Sequence, residues 1–165
     1  MISILNKWKQ KQKEAKPLMV VFNFSGGGVR SASFAMNVLQ ELDRATNGEI
    51  MRRTFLMTGA SGGMLSAAYF RELGRLRAND RHINPRDKKY LDDISDDLLN
   101  PVFSAMIARD LISPSQKFTY GHYRYVKDRG YAFEEKLDRN TRNLLDKNIG
   151  FYQQAESNAE VPLMI

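Results

Sequence analysis

Two glycine-rich stretches, Ser25-Gly26-Gly27-Gly28-Val29-Arg30 and Gly59-Ala60-Ser61-Gly62-Gly63, hold the residues whose types and spacing best suit a reaction. The second fits Gly-x-Ser-x-Gly. A serine nucleophile held at a sharp strand-to-helix turn has a strained backbone, and side chains two positions either side of it would collide. A helix starting at Gly62 would aim its positive end at Ser61 and favour negative charge there. The first stretch offers bare amides at Gly26, Gly27 and Gly28 that could form a hole for a developing oxyanion. Such donors are worth about 2.7–4 kcal/mol each in acyl transfer. The three glycines are therefore expected to make room for a substrate's reacting oxygen.

Rival chemistries fail on specific residues. A phosphate-cradling loop ends in Gly-Lys-Ser/Thr, where this chain has Val29-Arg30-Ser31. A dinucleotide fingerprint needs a third glycine where Ser31 stands. There is no cysteine, and His82 and His122 are too far apart for the short histidine pair of a metal helix, so neither metal nor cofactor is expected. A triad of Ser61, one of Asp92, Asp93, Asp96 or Asp97, and His122 fits the chain order of α/β-hydrolases. Against it, His122 sits among Tyr120, Tyr123 and Tyr125, which suits a structural histidine, and those acids suit a solvated helix face.

The elements that must position these loops follow from hydrophobic periodicity. Residues 18–24 form an apolar run that ends at the glycines and reads as a buried strand. Phe34, Val38, Leu39 and Leu42 mark one face of a helix over 31–44. Residues 53–58 read as a second strand, and a helix from Gly62 carries Leu65, Tyr69, Leu73 and Leu76. Gly28 and Ser61 are 33 residues apart, about one strand–helix–strand crossover. Parallel strands then set both loops side by side at their C-terminal ends, the edge where open parallel sheets hold ligands. Downstream, the spacing predicts a polar loop over 79–90 and a helix over 91–99. Asn100-Pro101 reads as an N-cap and first position restarting a helix with Val102, Phe103, Met106 and Ile107. Residues 118–133 are aromatic and rich in turn formers. A helix starts at Tyr131, with Phe133, Leu137, Thr141, Leu144 and Leu145 on one face, and a third strand begins in 159–165. Met36, Met57, Met64 and Met106 read as core.

The 165 residues suffice for one domain, and 42% hydrophobic with 27% charged residues is ordinary globular composition. Five lysines against Glu14 give residues 1–17 a charge of +4, which leaves +2 of the total +6 for the rest. With no concentrated basic face in the body, nucleic acid is set aside as a partner. Residues 1–17 read as a basic N-terminal tail, either frayed and solvated or lying on an anionic membrane with Ile2, Ile4, Leu5 and Trp8 dipping in. The tail reads neither as a signal peptide nor as a membrane span, which points to a cytoplasmic or membrane-associated location.

The paired stretches "SGGGVRSASFAMNVLQEL" and "GASGGMLSAAYFREL" resemble the patatin-like phospholipases over residues 18–165. The resemblance implies an α/β fold, three layers α/β/α around a mainly parallel sheet. It also implies a Ser–Asp dyad that hydrolyses acyl esters of phospholipids or other lipids without histidine or metal. In that pattern Ser61 is the nucleophile, Gly27 and Gly28 supply oxyanion amides, and Arg30 steadies the loop or meets a lipid phosphate. Ser25 replaces the usual aspartate and is closer to the cytosolic phospholipase and lysophospholipase branch. The dyad aspartate belongs to an Asp-Gly-Gly or Asp-Gly-Ala that follows a strand like 161–165. Asp128-Arg129-Gly130 is the nearest sequence, and it precedes that strand. The catalytic domain is therefore expected to be incomplete here, with its aspartate beyond Ile165. The alternative is a lipid-binding module that keeps the fold without a working dyad.

Overall fold

The computed structural model describes residues 1–112 and 116–165. Its centre is a three-stranded parallel sheet in the order β1 (Val20–Phe24), β2 (Thr54–Gly59), β5 (Leu163–Met164). Phe22 pairs with Met57 and Phe24 with Gly59, and Met57 in turn pairs with Met164. Two long helices, α2 (Gly28–Ala45) and α4 (Ser61–Asn79), follow β1 and β2. Phe22, Phe24, Met57 and Met164 pack into one core with Met36 and Leu39 of α2 and Phe70 and Leu73 of α4.

The fold is thus mixed α/β with a parallel sheet. Both crossovers step the same way across the sheet, and right-handed connections that step the same way lie on the same face. The opposite face leaves Val21 about half exposed and Asn23 in solvent, so the described residues form one helical layer on the sheet rather than two.

Helix α2 is rotated from the face that its large apolar residues mark. Ala32, Ala35, Met36, Leu39 and Asp43 are buried, while Phe34 is 71% exposed. The reason is α4: small Ala32 lets the helices close, and the Ser66 hydroxyl donates to the Ala32 carbonyl at 2.7 Å. Asp43 is buried because Arg86 (2.7 Å) and Arg77 (3.4 Å) reach it.

The N-terminal segment is not a frayed tail. Residues Ile2–Gln10 form α1, whose Trp8 is buried edge-on against Phe55 with ring centroids 6.0 Å apart. Lys7 donates to the Ser157 carbonyl (3.0 Å), and the Gln12 amide donates to the Arg52 carbonyl (2.9 Å). Turned inward, Trp8 cannot also dip into a membrane. A cavity of about 600 Å³ lies between α1 and the start of β2, lined by Trp8, Met51, Thr54 and Phe55 among others, at the sheet edge opposite the glycine loops.

The middle of the chain is more structured than its polarity predicts. Helix α3 (Ile50–Arg53) precedes β2, α5 (Lys88–Ser95) begins inside the expected loop, and α6 (Leu99–Ala105) starts one residue before Asn100. Asn100 is not the cap. The Asp97 carboxylate accepts the Leu99 (2.8 Å) and Asn100 (3.2 Å) amides instead. A π-helix, Met106–Ile112, continues α6. The aromatic stretch then forms an antiparallel hairpin, β3 (Lys117–Tyr120) and β4 (Tyr123–Val126), ahead of α7 (Arg129–Asn140). Thr141, Leu144 and Leu145 lie past the end of α7. A short helix α8 (Gln153–Ser157) leads to β5.

Helix α4 is buried nearly all round, including two charges inside it. Glu72 is 1% exposed and accepts two hydrogen bonds from Arg75, both 2.8 Å, and one from the Tyr152 hydroxyl at 2.9 Å. Burial first, then the Glu72 carboxylate, pushes the Tyr152 phenol far above its ordinary pKa, so it stays a donor. Arg71 stacks over the Tyr152 ring at 4.1 Å, pairs with Glu156 and donates to the Pro162 carbonyl at 3.1 Å. This network ties α4 to the segment that delivers β5. Glu72→Gln leaves Arg75 without its counter-charge. With Arg75 itself about a quarter exposed, the loss is that of charge-assisted hydrogen bonds, about 2 kcal/mol, read as a lowered urea midpoint with unchanged slope.

Candidate active site

Both glycine loops lie at the C-terminal ends of neighbouring parallel strands, joined where the Ala60 amide donates to the Phe24 carbonyl at 3.1 Å. Beyond that bond they meet backbone to backbone. A Cβ on Gly62 would lie 2.0 Å from the Gly28 carbonyl oxygen, and one on Gly63 would lie 2.5 Å from that of Ser25. A Cβ on Gly59 would lie 2.5 Å from the Phe24 oxygen. The glycines of the second loop therefore make room for the first loop's backbone, not only for a ligand.

Gly28 behaves differently. A Cβ there would meet nothing within 4 Å, and the residue is exposed. What constrains it is the backbone: Gly27 (φ 144°) and Gly28 (φ 61°) both lie where L side chains are strained. That twist turns the chain from β1 straight into α2, with the Ser31 amide donating back to the Gly27 carbonyl at 3.4 Å. The Ser31 hydroxyl donates to the Ser25 carbonyl at 2.6 Å and pins the loop from inside. Sequence reasoning missed this latch. A serine three residues after the last glycine was its only signal.

Ser61 opens α4 at φ 51°, a left-handed conformation that a non-glycine residue adopts only when its surroundings enforce it. Ala60 before it is extended. The chain therefore reverses at the serine, which is solvent-exposed. A Cβ on Gly26 would stand 3.4 Å from the Ser61 Cβ, so the two loops face each other at the serine. Among the described residues, the Gly26, Gly27 and Gly28 amides donate to no backbone carbonyl. Helices α2 and α4, 18 and 19 residues long, both present their N-termini here, so two sets of unpaired amides favour negative charge at one place.

Arg30 is exposed in the first turn of α2 and forms no ion pair among the described residues. Gly62 and Gly63 are buried in the loop contact.

The histidine triad does not assemble. His122 sits in the exposed turn of the β3–β4 hairpin. Asp92 pairs with Lys88, Asp96 with Lys136, and Asp97 caps α6. Asp93 is not a solvated face residue: it accepts from the Tyr69 hydroxyl (3.1 Å) and pairs with Arg142 (3.0 Å). Asp128 accepts the Tyr131 amide as the N-cap of α7. No protein family, curated protein or solved structure matches the chain.

The close approach gives a contrast between two glycines. Gly62→Ala drives a methyl into a backbone carbonyl and should cost about 3 kcal/mol, the upper end for overpacking. Gly28→Ala meets open space and should cost only its backbone strain, about 1–2 kcal/mol. Urea unfolding of the two variants checks the order.

Proposed function

We propose that the two loops form the nucleophile and oxyanion half of a serine acyl-hydrolase site of the patatin-like type, acting on acyl esters of phospholipids or related lipids. The observation that carries this reading is Ser61, exposed at φ 51° on the turn from β2 into α4 beside Gly26 of a loop whose Gly26, Gly27 and Gly28 amides donate to no backbone carbonyl among the described residues. In this mechanism the Ser61 oxygen attacks the ester carbonyl and its proton passes to a base. The carbonyl electron pair becomes an oxyanion held by the Gly27 and Gly28 amides. Collapse expels the alcohol and leaves an acyl-serine, which water cleaves to the fatty acid.

The base is an aspartate that the family pattern sets after a strand such as β5. Ser61 lies on β2's loop, next to β5 in the sheet, so an acid leaving the end of β5 would approach from the neighbouring strand. The three-layer architecture belongs to the same proposal, with a further layer on the sheet face that exposes Val21. Exposed, and with no ion pair among the described residues, Arg30 suits a lipid phosphate.

The second reading is a lipid-binding module without turnover. It is favoured by one observation: none of Asp92, Asp93, Asp96, Asp97, Asp128 or His122 pairs with Ser61. One experiment separates the two. In the full-length protein, Ser61→Ala is expected to lower kcat for phospholipid ester hydrolysis at least about 10³-fold. Equal hydrolysis by both forms would remove Ser61 from the chemistry. No hydrolysis by either, with lipid binding retained, would establish the module.

A further inference from the structure

We infer that the unit formed by residues 99–112 and 117–126 is a docking surface for an anionic lipid bilayer, distinct from the glycine-loop site and from α1. Along α6 and the π-helix that continues it, Leu99, Phe103, Ile107 and Leu111 recur every four residues, and each is more than half exposed. The other side of this helix faces α7, with Ala105 and Ala132 buried. The stripe is an unpartnered apolar face about three turns long, beyond the scatter of single apolar residues that any surface shows.

The hairpin repeats the arrangement. Register puts Phe118 and Tyr125 opposite each other, and Tyr120 opposite Tyr123, so one face is wholly aromatic. Phe118 packs on Tyr131 of α7 with ring centroids 4.9 Å apart, while Tyr120 and Tyr123 at the turn are 67% and 70% exposed. Tyr131 joins the two pieces, because Arg109 of the π-helix reaches over the same ring at 5.9 Å. Asp110 and Arg129 add a 3.6 Å ion pair across the junction.

Charge selects the occupant. Within the unit Arg109, Lys117 and Arg124 stand against Asp110, a balance of +2, and Lys127, Asp128 and Arg129 flank it. Both acids are engaged, Asp110 with Arg129 and Asp128 as the cap of α7. Lys117 and Arg124 are exposed and form no ion pair among the described residues. Tyrosines at the tip with cationic side chains behind them match the headgroup layer of an anionic membrane, where amphipathic rings and basic residues both settle. A second copy of the chain would bring two net-positive faces together, which like-charge repulsion opposes.

The test uses the whole chain bearing Ser61→Ala, so that binding is read without hydrolysis. Flotation is measured with vesicles of phosphatidylcholine containing about a third phosphatidylglycerol. The chain is expected to float with these vesicles and about tenfold less with phosphatidylcholine alone. Phe103→Ser/Ile107→Ser, and separately Lys117→Glu/Arg124→Glu, should each lower the partition about tenfold with unchanged circular dichroism. Lys9→Gln/Lys16→Gln in the N-terminal segment should change it less than about threefold. Failure of the parent chain to float, or flotation of both variants at the parent level, overturns the proposal. So does a lipid-free dimer in sedimentation velocity that either variant dissolves.

Discussion

The site depends on a contact between two stretches of bare backbone. The second loop can lie on the first only because Gly59, Gly62 and Gly63 carry no side chains where carbonyls of Phe24, Gly28 and Ser25 stand. Within the first loop the Ser31 hydroxyl holds the Ser25 carbonyl, and the two loops are kept together from outside. They are held by the β1–β2 ladder, by the Ala60–Phe24 bond that extends it, and by the α2–α4 packing that the Ser66–Ala32 bond fastens. The same contact sets Ser61 in its left-handed turn, so the geometry of the hydroxyl follows from main-chain sterics. The strain at Ser61 is offset by core burial elsewhere, a division of labour common where a residue must be aimed.

The two helices leaving the loops carry a second consequence. Their packing aligns both N-termini on the same edge of the sheet, where the fields of their unpaired amides add. That edge is also where the first loop's amides lack acceptors. Negative charge is therefore favoured at one location by backbone alone, with the exposed Arg30 in the first turn of α2 nearby. At the opposite edge, α1 with Trp8 borders the cavity at the start of β2, and the Glu72–Tyr152–Arg71 network ties α4 to the segment before β5.

Much of this was legible in the residues. The apolar runs ending in glycine gave both strands and their parallel pairing, and the Gly-x-Ser-x-Gly spacing located the strained serine. What the sequence hid is instructive. Periodicity put Phe34 on the buried face, but a buried helix pair selects small residues, so Ala32 and Ala35 went inward and Phe34 outward. Trp8 and the lysines around it read as a solvated tail, because nothing local tells that Phe55 waits to cover the ring. Nothing in the local pattern marks Arg71 and Glu72 as buried, because Glu156 and Tyr152, which close around them, lie 85 and 80 residues downstream. The third layer of the sheet was expected from resemblance, and no local pattern in the described residues supplies it.

The most direct test is a crystal structure of the full-length protein after reaction with an alkyl phosphonate ester. A phosphonyl group on Ser61 with its oxygen about 2.7–3.1 Å from the Gly27 and Gly28 amides is the result this account predicts. An unmodified Ser61, or an adduct whose oxygen turns away from those amides, would contradict the pairing of the two loops as one catalytic site.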